Sequence, residues 1–231
     1  SLERLRVISS QLVVDEPGIG SSPLEFKELD FILKNPSPRV NRRSSSKGAV
    51  TIRFTDYPGE WLGVNEELQK RIRSSPAILI TIDAPSLMWE QGRLNANLPE
   101  RVRQVVADWL DEGTKEPRLV MFCPIKCEKW MDSPQAQSSL KEAVKESFAA
   151  TLGRLRGSKQ TKVIYSPVMT TGSLRHNRFE ERPDGVYESR FLGRAGGSYD
   201  PAWVLNPLIA SLRAVAAQAR EDEHVWKYWT R

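Results

Sequence analysis

The sequence predicts an α/β fold, a doubly wound and mostly parallel sheet, on three observations. Residues 77–84 and 119–123 are near-continuous apolar runs of strand length, the pattern of strands covered on both faces. Segments with apolar residues at helical spacing alternate with such runs along the chain, as a sheet wound with helices requires. The length, 231 residues, suits one α/β unit with insertions and a sizeable core. We therefore read residues 1–231 as a single domain.

Each element follows from its own pattern. Leu2, Leu5, Ile8 and Leu12 keep helical spacing and read as the tail of a helix whose beginning lies upstream. Pro17 to Pro23 is a loop. Residues 24–33 read as strand, turn through residues 34–48, and return as a second strand ending at Asp56. The hairpin tip holds Arg39, Arg42, Arg43 and Lys47 among serines and is expected to be a mobile basic loop. A polar helix is predicted from Asn65 to about Ser74, then the first apolar run. Asn97 is the predicted cap of a helix carrying Val102, Val105, Val106, Trp109 and Leu110, ended by Gly113. After the second apolar run, Ser133-Pro134 opens a helix with Leu140, Val144, Phe148 and Leu152. Residues 162–165 give a further strand, and Asn206-Pro207 opens the last helix. Between these, 175–198 is rich in Arg, Gly and Glu and reads as an irregular surface insertion. Val225, Trp226, Tyr228 and Trp229 are expected to dock on the domain.

Composition excludes several classes. Net charge is +5 and the sequence pI is near 9.3, but the charges are mixed in sign, so a nucleic-acid partner is not expected. No aromatic residues alternate with the arginines of the basic tip, as a single-strand binder would need. Two cysteines, Cys123 and Cys127, form no disulfide or zinc framework and fit a reducing, cytoplasmic setting. No run reaches the roughly 18 apolar residues of a membrane span, and no signal peptide opens the chain. His176 and His224, the two histidines, are far apart and lack a nucleophile pattern, so neither a hydrolase triad nor a metal site is read from them.

Three turns follow predicted strands, where open α/β sheets bind ligands. The first is Asp56-Tyr57-Pro58-Gly59-Glu60. In nucleotide switches an acid at this place holds Mg²⁺, the glycine N–H meets the terminal phosphate, and the next residue orients the attacking water. A β-turn stabilised by Pro58 and Gly59 accounts equally for the motif. The second is Cys123 to Trp130, in which Lys126 and Glu128 match the Lys and the acid of the GTPase Asn/Thr-Lys-x-Asp turn. Ile125 stands at the Asn/Thr place, and a solvated charged loop with a tucked tryptophan is the plainer alternative. The third runs from Ser166-Pro167 to Gly172, where a short loop closes over the base; such dipeptides also mark ordinary loops. Their order and spacing join the three into one pattern.

On these residues the chain resembles a known family. Asp56-Tyr57-Pro58-Gly59-Glu60-Trp61-Leu62 is similar to a segment of YcjX-like and double-GTPase proteins, in the translation-factor-related (TRAFAC) clade of P-loop GTPases. The likeness spans roughly residues 24–215. It implies a P-loop NTPase fold with Mg²⁺ and GTP as ligands, and a regulatory role or one in bacterial conflict systems. The residues implied are Asp56 at the metal, Gly59 and Glu60 at the phosphate, and Lys126, Glu128, Ser166 and Pro167 at the base. No Gly-x-x-x-x-Gly-Lys-[Ser/Thr] occurs in the chain, so the first strand and phosphate loop of the family are missing from it. That strand is central in the family's sheet, so an upstream segment, a rearranged one or a protein partner is expected to fill its place. The resemblance implies slow or partner-assisted GTP hydrolysis when the phosphate loop is present, with the chain alone expected to be inactive; the alternative is an inactive pseudo-GTPase interaction module.

Overall fold

The computed structural model describes residues 27–33, 50–57, 61–62, 64–89, 97–111, 118–185, 187–193 and 200–218. The predicted helix over residues 2–14, the basic tip at 34–48 and the aromatic cluster at 225–229 lie outside them. The chain divides into two compact units, Ser1–Trp61 and Leu62–Arg231.

In the first unit, β1 (Lys27–Leu33) and β2 (Val50–Asp56) pair antiparallel with Lys27 opposite Asp56 and Leu33 opposite Val50. This is the predicted hairpin, and Asp56 is the last residue of its second strand.

The second unit is α/β. Its parallel sheet has the order β3 (Ala77–Asp83), β4 (Arg118–Ile125) and β5 (Thr161–Tyr165). The helices are α1 (Glu66–Ser74), α2 (Ala84–Leu87), α3 (Pro99–Asp111), α4 (Pro134–Ser147), α5 (Ala149–Arg156) and α6 (Asn206–Gln218). Residues 118–124 of β4 are buried without a break, because the strand has a neighbour on each edge and a packed layer on each face. On one face Ile80, Ile82, Val120 and Phe122 meet Val106 and Trp109 of α3, Val144 of α4 and Leu155 of α5. Consecutive right-handed crossovers that step one way across a sheet put their helices on one side, which is the case for α3, α4 and α5. On the other face Leu119, Met121 and Cys123 pack with Leu79, Ile164 and Ala210 of α6. β3 is less covered than predicted: Ile80 and Ile82 are buried but Thr81 is exposed.

Local chemistry sets the helix ends. Asn65 accepts a hydrogen bond from Leu68 N at 2.9 Å and Glu66 and Glu67 occupy the first turn of α1, so a side-chain cap and the macrodipole agree. Ser133 accepts from Ala136 N at 3.2 Å before Pro134 starts α4. The single helix predicted to run through Leu152 is instead two, divided at Phe148, whose ring is buried against Phe122 at 5.5 Å in an edge contact. Residues 175–192, read as irregular, hold an antiparallel hairpin: β6 (Arg175–Glu181) and β7 (Tyr187–Leu192). Their charged side chains hid the strand pattern, since the hairpin buries few residues, His176 foremost.

Trp109 carries the most concentrated packing. It is fully buried, its indole N–H donates to Ser75 O at 2.9 Å, and the Arg118 guanidinium lies 4.5 Å over its ring. Trp109→Ala is expected to lower unfolding free energy by about 3–5 kcal/mol. Urea denaturation measures it; a loss below about 1 kcal/mol would mean that the indole is not part of the packed layer.

Candidate functional site

The described part of the candidate site lies at the carboxyl ends of β3, β4 and β5. β4 ends at Ile125, and Lys126 follows in the left-handed region at φ 55°. That unusual conformation for a lysine turns the chain sharply into Cys127 and the helical turn Glu128–Trp130. β5 continues beyond Tyr165 alongside β4: Ser166 N donates to Phe122 O at 2.9 Å and Val168 N to Pro124 O at 2.8 Å. Ile125 and Val168 form a parallel bridge. The second and third predicted turns are therefore neighbours.

Side chains fasten them together. Lys126 N donates to Thr170 Oγ1 at 3.1 Å, and the Cys127 thiol donates to Val168 O at 3.3 Å. Glu128 is buried, and its Oε1 accepts hydrogen bonds from the backbone N–H groups of Thr171 and, at 3.2 Å, Gly172. Gly172 sits at φ 64°, a conformation that costs glycine little. The second carboxylate oxygen, Oε2, is buried without a hydrogen-bond partner among the described residues. Burial, with the nearby Glu128 charge adding to it, pushes the Cys127 thiol up to about 12, and burial alone pushes Cys123 to about 12. Both are inert core thiols.

Lys126 Nζ bonds Asp83 Oδ2 at 2.7 Å, across from β4 to the end of β3. Asp83 Oδ1 accepts from Ser86 N at 2.9 Å and Ser86 Oγ at 2.6 Å, capping the short α2. Burial alone would raise the Asp83 pKa, but the bonds from Lys126 and Ser86 outweigh it and hold the carboxyl below its usual value. Asn97 does not cap α3 as predicted. Its side chain accepts from Asp83 N at 2.7 Å and donates to Asp83 O at 3.3 Å, fixing the strand end, while Leu98 precedes the helix at φ 43°.

The predicted residues are thus distributed unevenly. Lys126 and Glu128 lie in one fastened unit with residues 168–172. Ser166 and Pro167 line a neighbouring cleft whose walls include neither Lys126 nor Glu128. Asp56 closes β2 in the other unit, and Gly59 and Glu60 lie outside the described residues. Asp83, Ser86 and Asn97 are site neighbours that the motif reading missed; an acid closing an apolar strand was the available signal. Among the described residues no three His, Cys, Asp or Glu side chains gather as metal ligands, and no helix is long and apolar enough to cross a membrane.

The β6–β7 hairpin covers Trp130. His176 stacks on Trp130 with centroids 6.1 Å apart and also contacts Phe179 at 4.8 Å and Phe191 at 5.7 Å. Neither His176 ring nitrogen has a well-formed hydrogen bond among the described residues. Burial, reinforced by the Lys129 charge, holds its pKa below 6.5.

Comparison with known proteins gives no match to any family model, curated protein or solved structure.

Two outcomes follow. Glu128→Ala strands two backbone donors and is expected to cost about 1–3 kcal/mol, with Glu128→Gln losing less because it keeps an acceptor; equal losses in thermal melts would refute the role of the carboxylate. The neutral form of His176 contributes stability that is complete above pH 6.5 and declines as pH falls through its lower folded-state value. The difference in Tm between the protein and His176→Phe should therefore shift in favour of the variant between pH 7 and pH 5, and a constant difference would contradict it.

Proposed function

We propose that this protein is a GTPase-type nucleotide switch that binds Mg²⁺-GTP at the carboxyl ends of its parallel strands when a phosphate loop is present. The observation that carries the reading is the fastening of the Lys126–Glu128 turn to the Thr170–Gly172 loop, at the ends of two adjacent parallel strands. In α/β sheets this is where ligands sit, and a base-recognition pocket needs these two segments held together. In this reading Lys126 and Glu128 recognise the base, with the loop that begins at Ser166 and Pro167 closing beside it. Asp56 holds Mg²⁺, the Gly59 N–H meets the terminal phosphate, and Glu60 faces the attacking water. Hydrolysis is slow or assisted by a partner, since a carboxylate at Glu60 would face a like-charged phosphate. A strand from an upstream segment or a partner protein adds to the outer edge of β3, which pairs only with β4 among the described strands.

A second reading, an inactive pseudo-GTPase that holds a protein partner, has its own support. The Lys126 ammonium is engaged by Asp83 and the Glu128 carboxylate by loop N–H groups. Both side chains then serve to hold the scaffold.

The melting temperature with GTP, with and without Mg²⁺, separates the two. Ligand at about 100 times its Kd adds about 2.7 kcal/mol, a rise of roughly 5–10 °C for a chain of this size. With a phosphate-loop segment joined to the chain, we expect that rise with GTP and Mg²⁺, its reduction by EDTA, and its loss in Lys126→Ala. A Tm unmoved by GTP and Mg²⁺ overturns the switch reading, and a Lys126→Ala melt lowered equally with and without nucleotide favours the scaffold.

A further inference from the structure

Beside the fastened turns lies an open cleft of about 550 Å³ between α4, the end of β5 and the turn that precedes α6. One wall is a face of α4: Pro134, Gln137, Ser138 and Lys141 recur at helical spacing, while Leu140 and Val144 of the same helix point into the core. Tyr165 and Trp203 supply two aromatic surfaces. The volume is that of a site for a small organic molecule.

The electrostatics of the cleft have one sign. Among the described residues Lys141 is the one charged residue lining it and no carboxylate pairs with its ammonium, which lies 6.0 Å over the Tyr165 ring. The first turns of α4 and α6 border the cleft at Pro134 and Asn206, and neither contains an acidic residue. Both helix starts therefore add positive potential, and Asp132, which precedes α4, is paired with Arg175. Gln137 and Asn206 add side-chain amides able to orient a polar ligand.

Trp203 is displayed at a conformational cost. It is 43% exposed and stands at φ 62°, left-handed backbone that a bulky residue seldom adopts. The turn is held there by Met169 N donating to Ala202 O at 3.1 Å, Ala202 N to Met169 O at 3.0 Å, and Asn206 N to Trp203 O at 3.0 Å. A partly exposed indole kept in left-handed backbone at the rim of a cleft points to a site, since such strain clusters where ligands are held.

We propose that this cleft binds a small aromatic anion, a planar ring bearing a phosphate or carboxylate, with the ring against Trp203 and the anionic group at Lys141. The cleft shares Ser166 and Pro167 with the loop placed beside the base above, but neither Lys126 nor Glu128 lines it, and the proposal does not rest on the nucleotide reading. Stacking and the ammonium act on different parts of the ligand, so each half alone binds weakly.

The test is calorimetric titration of the protein with 1-naphthyl phosphate, alongside 1-naphthoate, 1-naphthol and inorganic phosphate. Saturable one-site binding of the first two is expected, at least tenfold tighter than either half-ligand. Lys141→Gln should weaken it about tenfold or more, whereas Lys145→Gln, one turn along and paired with Glu142, should not. Trp203→Gly suits the positive φ, so its Tm should be held or raised while binding falls at least tenfold. No saturable binding, naphthol binding as tightly as the phosphate, or affinity unchanged in both Lys141→Gln and Trp203→Gly would overturn the proposal.

Discussion

Residues 118–124 of β4 have hydrogen-bonded neighbours on both sides, packed layers above and below, and no side chain left in water. A strand so enclosed has one register, because a slip of one residue would move Val120 and Phe122 to the face that holds Leu119, Met121 and Cys123. Whatever leaves its carboxyl end therefore leaves from a fixed point. Lys126 takes the left-handed turn there, Glu128 is carried under the 171–172 loop, and Trp130 is set beneath His176. The precision of the candidate site is inherited from the packing of the strand behind it.

The contacts at that end differ in what they contribute. The Lys126–Asp83 pair has side chains 36% and 19% exposed; solvent still screens it at the lysine end, so it is worth about 1 kcal/mol, the top of the range for exposed pairs, and its service is to fix position. Glu128 is different in kind. Its carboxylate is buried and accepts from two backbone N–H groups, so removing it leaves two part-buried donors without that acceptor. The loop after β5 depends more on Glu128 than the end of β3 does on Lys126.

Much of this was legible wherever one period ruled a segment. The unbroken apolar run of β4, the 3.6-residue spacing through Val102, Val106 and Trp109, and the Ser133-Pro134 start of α4 each reported a local rule, and the structure obeys them. What the sequence hid depends on distant neighbours. Asn97 looks like a helix cap until Asp83, fourteen residues away, takes its amide on both sides. The hairpin at 175–192 was hidden by its arginines and glutamates, since its ladder is held by backbone and by cross-strand ion pairs such as Arg190 with Glu180. The left-handed Trp203 has no signature, because the residue type argues against the conformation. Of the candidate site, Lys126, Glu128 and the loop beyond Ser166 were found by their order after strands; Asp83 and Ser86 were not, being ordinary residue types until brought to one corner.

These magnitudes bear on how the two functional readings differ. Engagement of Lys126 by Asp83 does not by itself argue against a ligand, since a contact worth about 1 kcal/mol yields to almost any specific interaction. Glu128 is the stricter constraint. One of its oxygens already has its donors, and the other is buried without a partner among the described residues. An acceptor left in that condition costs more than one that meets a donor, so a ligand N–H reaching Oε2 would recover what the apo fold forgoes. The N–H groups of Thr171 and Gly172 are held by the same carboxylate. In the switch reading a ligand therefore shares Glu128 with the loop, and in the scaffold reading the loop has it alone.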